Sequence, residues 1–190
     1  MNNLQIDLTK LQSNRDRILR WITSQGAVIC TDLDKREEAK RYFMPIALLF
    51  PEYALRLSAI YVYKQSEQKG DLRNSDAINW KDVTKDGNGV LYAIGISIEA
   101  LQKGAEYATL CLIHELCHIE EQSHGTSFHR LLNSMIQRYN SVMGTNIVND
   151  NNGLPMRHDS RRYDPLSNSV SIKGKEGGKI FRTSGRRINS

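Results

Sequence analysis

The stretch of the chain that most limits its possible folds spans residues 110–130, LCLIHELCHIEEQSHGTSFHR, and it holds four of the five histidines. It contains the pattern H-E-x-x-H, from His114 to His118. This spacing brings two imidazoles together on an α-helix, where residues four apart share one face with Cβ atoms about 5–6 Å apart. Each imidazole can then place a nitrogen about 2.0–2.1 Å from one zinc ion. The sequence therefore predicts a metal-binding helix over residues 105–121.

Glu115 lies about 100° around this helix from His114, so it flanks the predicted metal. In zinc hydrolases with this motif, the metal lowers the pKa of a bound water and the glutamate is the base for that water. The residues around the motif are apolar on nearly every side: Leu110, Leu112, Ile113, Leu116 and Ile119. Such a helix is usually buried, and buried imidazoles and carboxylates need partners. A metal ion supplies them; the alternative is a buried helix whose histidines bond only to the backbone.

A catalytic zinc site has three protein ligands and one open position, and His124 is the leading candidate for the third ligand. It follows His118 by six residues and precedes Gly125, which can turn through conformations closed to other residues. The spacing equals that of the metzincin pattern H-E-x-x-H-x-x-G-x-x-H. The glycine that this pattern requires is replaced by Glu121, so the chain is not a standard metzincin. Tetrahedral zinc predicts that the nearest nitrogens of the three histidines lie about 3–4 Å apart.

Other residues near the motif are weaker candidates. Asp150 and His158 could also supply a ligand, although both lie where the pattern of regular structure fades. His129 either orients a ligand or is a surface histidine, and we favour the surface. Cys117 is expected to pack behind the site, about 60° away from the direction of His114. The chain has three cysteines and no C-x-x-C, so neither a disulfide framework nor a zinc ribbon is predicted.

Periodicity and turn signals predict an α+β protein in which a small antiparallel sheet packs on helices. The strand over residues 90–98 precedes the motif helix and is expected to offer an exposed edge to an extended peptide. We expect an N-terminal helical part over residues 1–50, a zincin-like metalloprotease core over 51–145 and a basic tail over 146–190. Helices are predicted over residues 9–23 and 34–50, and strands over 55–63, 77–84 and 90–98.

Charge is concentrated in the tail, where residues 155–190 contain nine Lys and Arg against three Asp and Glu. This segment has no sustained periodicity and is expected to be largely disordered or loosely attached. The N-terminal sequence has no signal pattern, and no apolar run approaches the roughly 20 residues that span a bilayer. These features predict a cytoplasmic protein that does not enter the membrane.

The sequence around the motif resembles the SprT-like group of minimal zinc metalloproteases, which includes the Spartan and Wss-type proteases, and related small bacterial metal-dependent hydrolases. The resemblance covers about residues 50–140. It implies metal ligands at His114, His118 and His124, with Glu115 as the base and a peptide bond as the substrate. In eukaryotic members the substrates are proteins bound or crosslinked to DNA. Many members carry a cysteine zinc ribbon after the core, which this chain lacks. The matching positions are His114, Glu115, Leu116, His118, His124, Gly125 and Phe128.

Three functions follow as hypotheses. The first is a zinc metalloendopeptidase that hydrolyses protein or peptide substrates. The second is a nucleic-acid-binding protein with a structural metal and a basic tail that makes non-specific, salt-sensitive contacts with DNA phosphates. The third is a zinc hydrolase that acts on something other than peptides. The sequence makes no prediction of the oligomeric state.

Overall fold

The structure is a computed structural model that describes residues 8–83, 89–149, 170–176 and 179–183. Two short 3₁₀ turns, Gln65–Glu67 and Gly70–Asn74, occupy the predicted loop between the first two strands. The helices are α1 (Leu8–Ser24), α2 (Leu33–Leu49), α3 (Pro51–Ala54), α4 (Ile98–Gln102), α5 (Ala105–Cys117) and α6 (Thr126–Met143). The strands are β1 (Leu57–Tyr63), β2 (Ala77–Val83), β3 (Val90–Ser97), β4 (Val170–Glu176) and β5 (Lys179–Thr183).

The first two helices lie where the sequence predicts them. Asp32 caps α2, because its side chain accepts hydrogen bonds from the backbone N–H groups of Asp34 and Lys35. Pro45 lies inside α2, and Pro51 starts the next short helix. Proline suits that first position because its missing N–H would have no helical partner there.

The α+β class is confirmed, but the sheet is mixed rather than antiparallel. Its strand order is β1-β3-β2-β4-β5, with β1 parallel to β3 and β2 antiparallel to β3. The cause is that β3 inserts between β1 and β2, although β1 and β2 are neighbours in sequence. The prediction of an exposed edge at β3 is therefore wrong, because β3 is an interior strand and β1 forms an edge of the sheet.

Two segments of the basic tail contribute backbone to the sheet. Strand β4 pairs parallel to β2, and β5 pairs antiparallel to β4. The sequence does not predict these strands. The remainder of the tail lies outside the described residues, so its disorder stays a prediction, as do the proposed domain boundaries.

Helices cover both faces of the sheet. Helix α1 packs Ile18 and Ile22 against one face, together with Trp80 of β2. Helices α2 and α5 pack against the other face, α6 packs on α5, and together they form the larger core. The H-E-x-x-H motif on α5 thus lies within the larger core. Among the described residues, no helix is both long enough and apolar enough to cross a membrane.

Candidate metal centre

Helix α5 carries the first two histidines into the core. Every residue from 107 to 117 is buried, which agrees with the apolar sequence on all sides of the motif. The helix ends at Cys117, four residues earlier than predicted, and His118 is its C-cap with helical backbone angles. His118 therefore keeps the helical position relative to His114 that the motif requires.

His124 reaches the site from the loop between α5 and α6. Gly125 is the N-cap of α6, with φ −79° and ψ −175°. Any residue can adopt this extended conformation, and a Cβ built on Gly125 meets nothing closer than the Ser123 Oγ at 4.0 Å. The expectation that Gly125 serves the turn through conformations closed to other residues is therefore wrong.

The structure brings the three predicted histidines together through their Nε2 atoms. The Nε2 of His114 lies 2.9 Å from that of His124 and 3.1 Å from that of His118. One ligand atom from each side chain lies within 4.8 Å of the others, so the three histidines can hold one metal ion. Zinc bonds of about 2.1 Å in a tetrahedron place nitrogens roughly 3.4 Å apart, close to these separations.

Hydrogen bonding sets the tautomer of the His118 ring, and burial lowers the pKa values of His118 and His124. The His118 Nδ1 lies 2.8 Å from the carbonyl oxygen of Glu121, which can only accept, so Nδ1 carries the proton and Nε2 offers its lone pair. Burial and the neighbouring His114 and His124 hold the pKa of His118 well below its usual range. Burial, with a smaller effect of His129, lowers the pKa of His124 to about 4. Both rings are therefore neutral near pH 7, the form that binds metals.

Phe128 fixes the arrangement of the rings. It lies in the first turns of α6 and is fully buried. Its ring stacks on His118 with centroids 4.5 Å apart and meets His114 and His124 edge-on, each at 4.8 Å. One aromatic ring thus contacts all three imidazoles and links the α6 side of the site to the α5 side.

Glu115 is the most unusual residue of the site. Its side chain is fully buried, and among the described residues neither carboxylate oxygen finds a hydrogen-bond partner. Burial raises the pKa of Glu115 well above its usual range; the backbone N–H of Asn79 lies close enough to offset part of this effect, without reaching hydrogen-bonding geometry. A buried carboxylate without a partner is costly. A cation and a water molecule at the adjacent histidines would meet this need, so the residues fit a metal.

Asn79 of β2 was missed by sequence reasoning. Its side-chain Nδ2 donates a hydrogen bond of 2.9 Å to the backbone carbonyl of Glu115. That carbonyl lies in the last turn of α5, where helical donors run out, so Asn79 ties the motif to the sheet. The available signal was a polar residue in the middle of a predicted strand, between Ile78 and Trp80.

The remaining candidates lie around the site or outside the described chain. Cys117 packs behind the site as predicted, with its Sγ 3.4 Å from the Met135 sulfur. His129 is half-buried and meets the Phe128 ring edge-on at 5.6 Å, outside the trio of histidines. Asp150 and His158, the alternative third ligands, are not among the described residues.

The chain was also compared with known proteins. No protein-family model, curated protein or solved structure matches it. The interpretation of the site therefore rests on its own geometry.

Proposed function

We propose that the protein is a zinc-dependent metallopeptidase with His114, His118 and His124 as metal ligands and Glu115 as the general base. The observation that carries this proposal is the pairing of three converging imidazole nitrogens with a fully buried, unpaired carboxylate next to them in sequence. Imidazole ligands suit zinc well. A structural zinc site usually has four protein ligands, whereas three ligands leave a position open for chemistry.

A zinc ion bound by the three histidines would act as a Lewis acid that polarises a carbonyl and makes water easier to deprotonate. Glu115 would accept the proton from the attacking water, since its raised pKa makes it a stronger base than an ordinary carboxylate. It would then deliver that proton to the leaving amine. His124 is the only half-buried member of the trio, so reactants are expected to approach from its side.

The motif indicates how water is activated and does not identify the substrate, so the choice of a peptide bond rests on the family resemblance. The resemblance of the motif to the SprT-like metalloproteases supports membership of that group, and the basic tail is consistent with substrates that are associated with DNA. The three free cysteines, two of them buried, fit a protein that works in the reducing cytoplasm.

The decisive experiment is the Glu115→Gln substitution, measured for zinc content and for cleavage of unfolded protein. We expect zinc to stay bound, because the histidines are unchanged, and turnover to fall by about 10²–10⁴-fold, the usual contribution of a general base. Glu120→Gln is the matched control: Glu120 is exposed and pairs with Arg56, so this variant should cleave at the wild-type rate. If Glu115→Gln cleaves as fast as wild type, the peptidase proposal is wrong.

A second candidate is a nucleic-acid-binding protein in which the metal is structural. The observation that favours it is the excess of positive charge in residues 155–190. Neutralising Arg161, Arg162, Arg186 and Arg187 should then weaken DNA binding at low salt and flatten its salt dependence, because fewer counterions are released. Unchanged DNA retention at two salt concentrations would remove this candidate.

A further inference from the structure

A groove of about 410 Å³ runs along the outer edge of β1. Its floor is the strand itself, residues 58–62, which extend about 13 Å at the usual rise per residue. Helix α1 contributes Arg15 to one wall, and α2 contributes Arg36, Lys40 and Phe43 to the other. Since β1 is an edge strand between helices on opposite faces of the sheet, the groove has the shape of a slot for one more strand.

The backbone on the floor of the groove can form hydrogen bonds with such a strand. The carbonyl of Val62 points away from β3, because it accepts a hydrogen bond of 2.8 Å from the N–H of Cys30. Backbone groups two residues apart in a strand point the same way, so the N–H and C=O of Ile60 also face the groove. Among the described residues, no backbone group bonds to Ile60 from that side. An exposed row of donors and acceptors is a template for a further strand.

The charge of the groove walls favours an acidic partner over a second copy of this chain. Lys40 is 3.4 Å from Glu37, the one acidic residue of the groove. No described carboxylate lies within ion-pair distance of Arg15 or Arg36, so the groove has a net positive charge. A second copy of this edge would bring the same cations face to face, which is unfavourable. An acidic partner would instead pair with them.

The floor also distinguishes a peptide from a nucleic acid. Phosphate oxygens only accept hydrogen bonds, whereas an extended peptide offers both the N–H and the C=O that match Ile60. Phe43 and Ala39 add apolar surface to the wall, which suits alternating side chains of a strand. We propose that this groove is a docking site for an extended acidic peptide, which adds to β1 as a further strand.

The docking site is separate from the metal centre. The sheet contact of the metal centre is Asn79 on β2, and β3 lies between β2 and β1. The proposal therefore does not depend on the peptidase activity and holds for an inactive protein as well.

The test uses a short fluorescein-labelled peptide in which glutamate alternates with threonine and valine. Binding to the full chain is followed by fluorescence anisotropy, with a version carrying lysine at every glutamate as the reference. The double variant Arg36→Glu, Lys40→Glu should raise the Kd about tenfold or more, because like charges then face the peptide. The control double variant, Arg20→Glu, Arg41→Glu, makes the same change of charge at exposed positions of α1 and α2 outside the groove and should bind within about twofold of wild type.

Amide hydrogen exchange provides an independent measurement on the wild-type chain. The glutamate peptide should slow exchange at Ile60, while the neighbouring Tyr61 amide, which faces β3, should keep its rate. The proposal is overturned if Ile60 is not protected, if the lysine peptide binds as well, or if the control variant loses as much affinity as the groove variant. Protection of Ile60 by an oligothymidylate in place of the peptide would also overturn it and assign the groove to nucleic acid.

Discussion

Asp76 and Glu115 are both buried carboxylates, but their surroundings are opposite. Asp76, at the start of β2, accepts hydrogen bonds from Lys103 at 2.7 and 2.8 Å, from Gln65 at 3.1 Å and from the hydroxyl of Tyr107. Glu115 is more deeply buried, and neither of its oxygens has a partner in the part of the chain that the structure describes. Both side chains are almost completely buried, with exposed fractions of 4% for Asp76 and 0% for Glu115, so the difference lies in their partners.

The difference separates a carboxylate that stabilises the fold from one that the fold tolerates. The partners of Asp76 repay the cost of removing its charge from water, and they join β2 to α4 and α5. Nothing among the described residues does this for Glu115, so its burial is costly. Stability is often given up at active sites, and the proposed role of Glu115 as general base would account for this cost.

The largest expected effect is the response of the site to zinc. If the histidines bind the ion only in the folded protein, zinc at about 1,000 times its Kd should stabilise the fold by about 4 kcal/mol. For a domain of this size, that corresponds to a rise in Tm of roughly 8–16 °C. Thermal unfolding with and without zinc, after treatment with a chelator, measures it.

Two histidine variants make this measurement specific. His118→Ala removes one of the converging nitrogens and should abolish the rise in Tm. His129→Ala is the matched control, because this half-buried histidine lies in the same region but outside the trio, and it should respond to zinc as wild type does. An equal response of both variants would show that zinc binds elsewhere.

The two carboxylates can be compared directly by substitution in the metal-free protein. Asp76→Ala should lower the free energy of unfolding by about 3 kcal/mol, because the buried Tyr107 hydroxyl, the half-buried Gln65 and the Lys103 ammonium lose the carboxylate that they contact. Glu115→Gln should leave that free energy unchanged or raise it by about 1 kcal/mol. Folding near pH 7 must either bury the Glu115 charge or take up a proton, and the substitution removes both costs.

Urea denaturation of the two variants at pH 7 gives these values. Were Glu115→Gln to destabilise the metal-free fold as much as Asp76→Ala does, Glu115 would have a structural partner and the comparison would fail.

The histidine cluster and the partners of Asp76 also differ in how far they could be predicted from the sequence. The cluster of three histidines was predictable because its geometry is local: His114 and His118 are four residues apart on a helix, and His124 follows after six. The partners of Asp76 are 11, 27 and 31 residues away, so no periodicity reveals them. The mixed sheet was missed for the same reason, because the parallel pairing of β1 with β3 joins residues about 35 positions apart and bypasses the neighbouring β2.

A smaller loss of stability is expected when Asn79 is replaced. Its side chain donates a hydrogen bond to the backbone carbonyl of Glu115. Asn79→Ala should lower the free energy of unfolding by about 1–2 kcal/mol, because the carbonyl loses its donor inside the core. It should also weaken zinc binding, since the end of α5 that carries His114 and His118 is no longer tied to β2.

Asn140→Ala is the control for Asn79. The Asn140 amide donates to the Ile147 carbonyl and accepts from the Ile147 N–H and the Thr145 hydroxyl beyond the end of α6, so its loss should cost at least as much free energy. Its zinc affinity should equal that of wild type. A wild-type zinc affinity for Asn79→Ala as well would restrict Asn79 to a purely structural role.

The smallest effects concern the two glycines that precede α5 and α6, Gly104 and Gly125. Gly104 precedes α5 with φ +105°, a conformation that L-residues rarely adopt, so Gly104→Ala should cost about 1 kcal/mol or more.

Gly125 has extended backbone and open space around it, so Gly125→Ala should change the free energy of unfolding by less than about 0.5 kcal/mol. Gly125→Asn should stabilise α6 by a few tenths of a kcal/mol, because its side chain can cap the free N–H groups. Gly125→Ala could instead cost as much as Gly104→Ala and lower the zinc affinity. The loop that places His124 would then require glycine at position 125, as the sequence analysis expects.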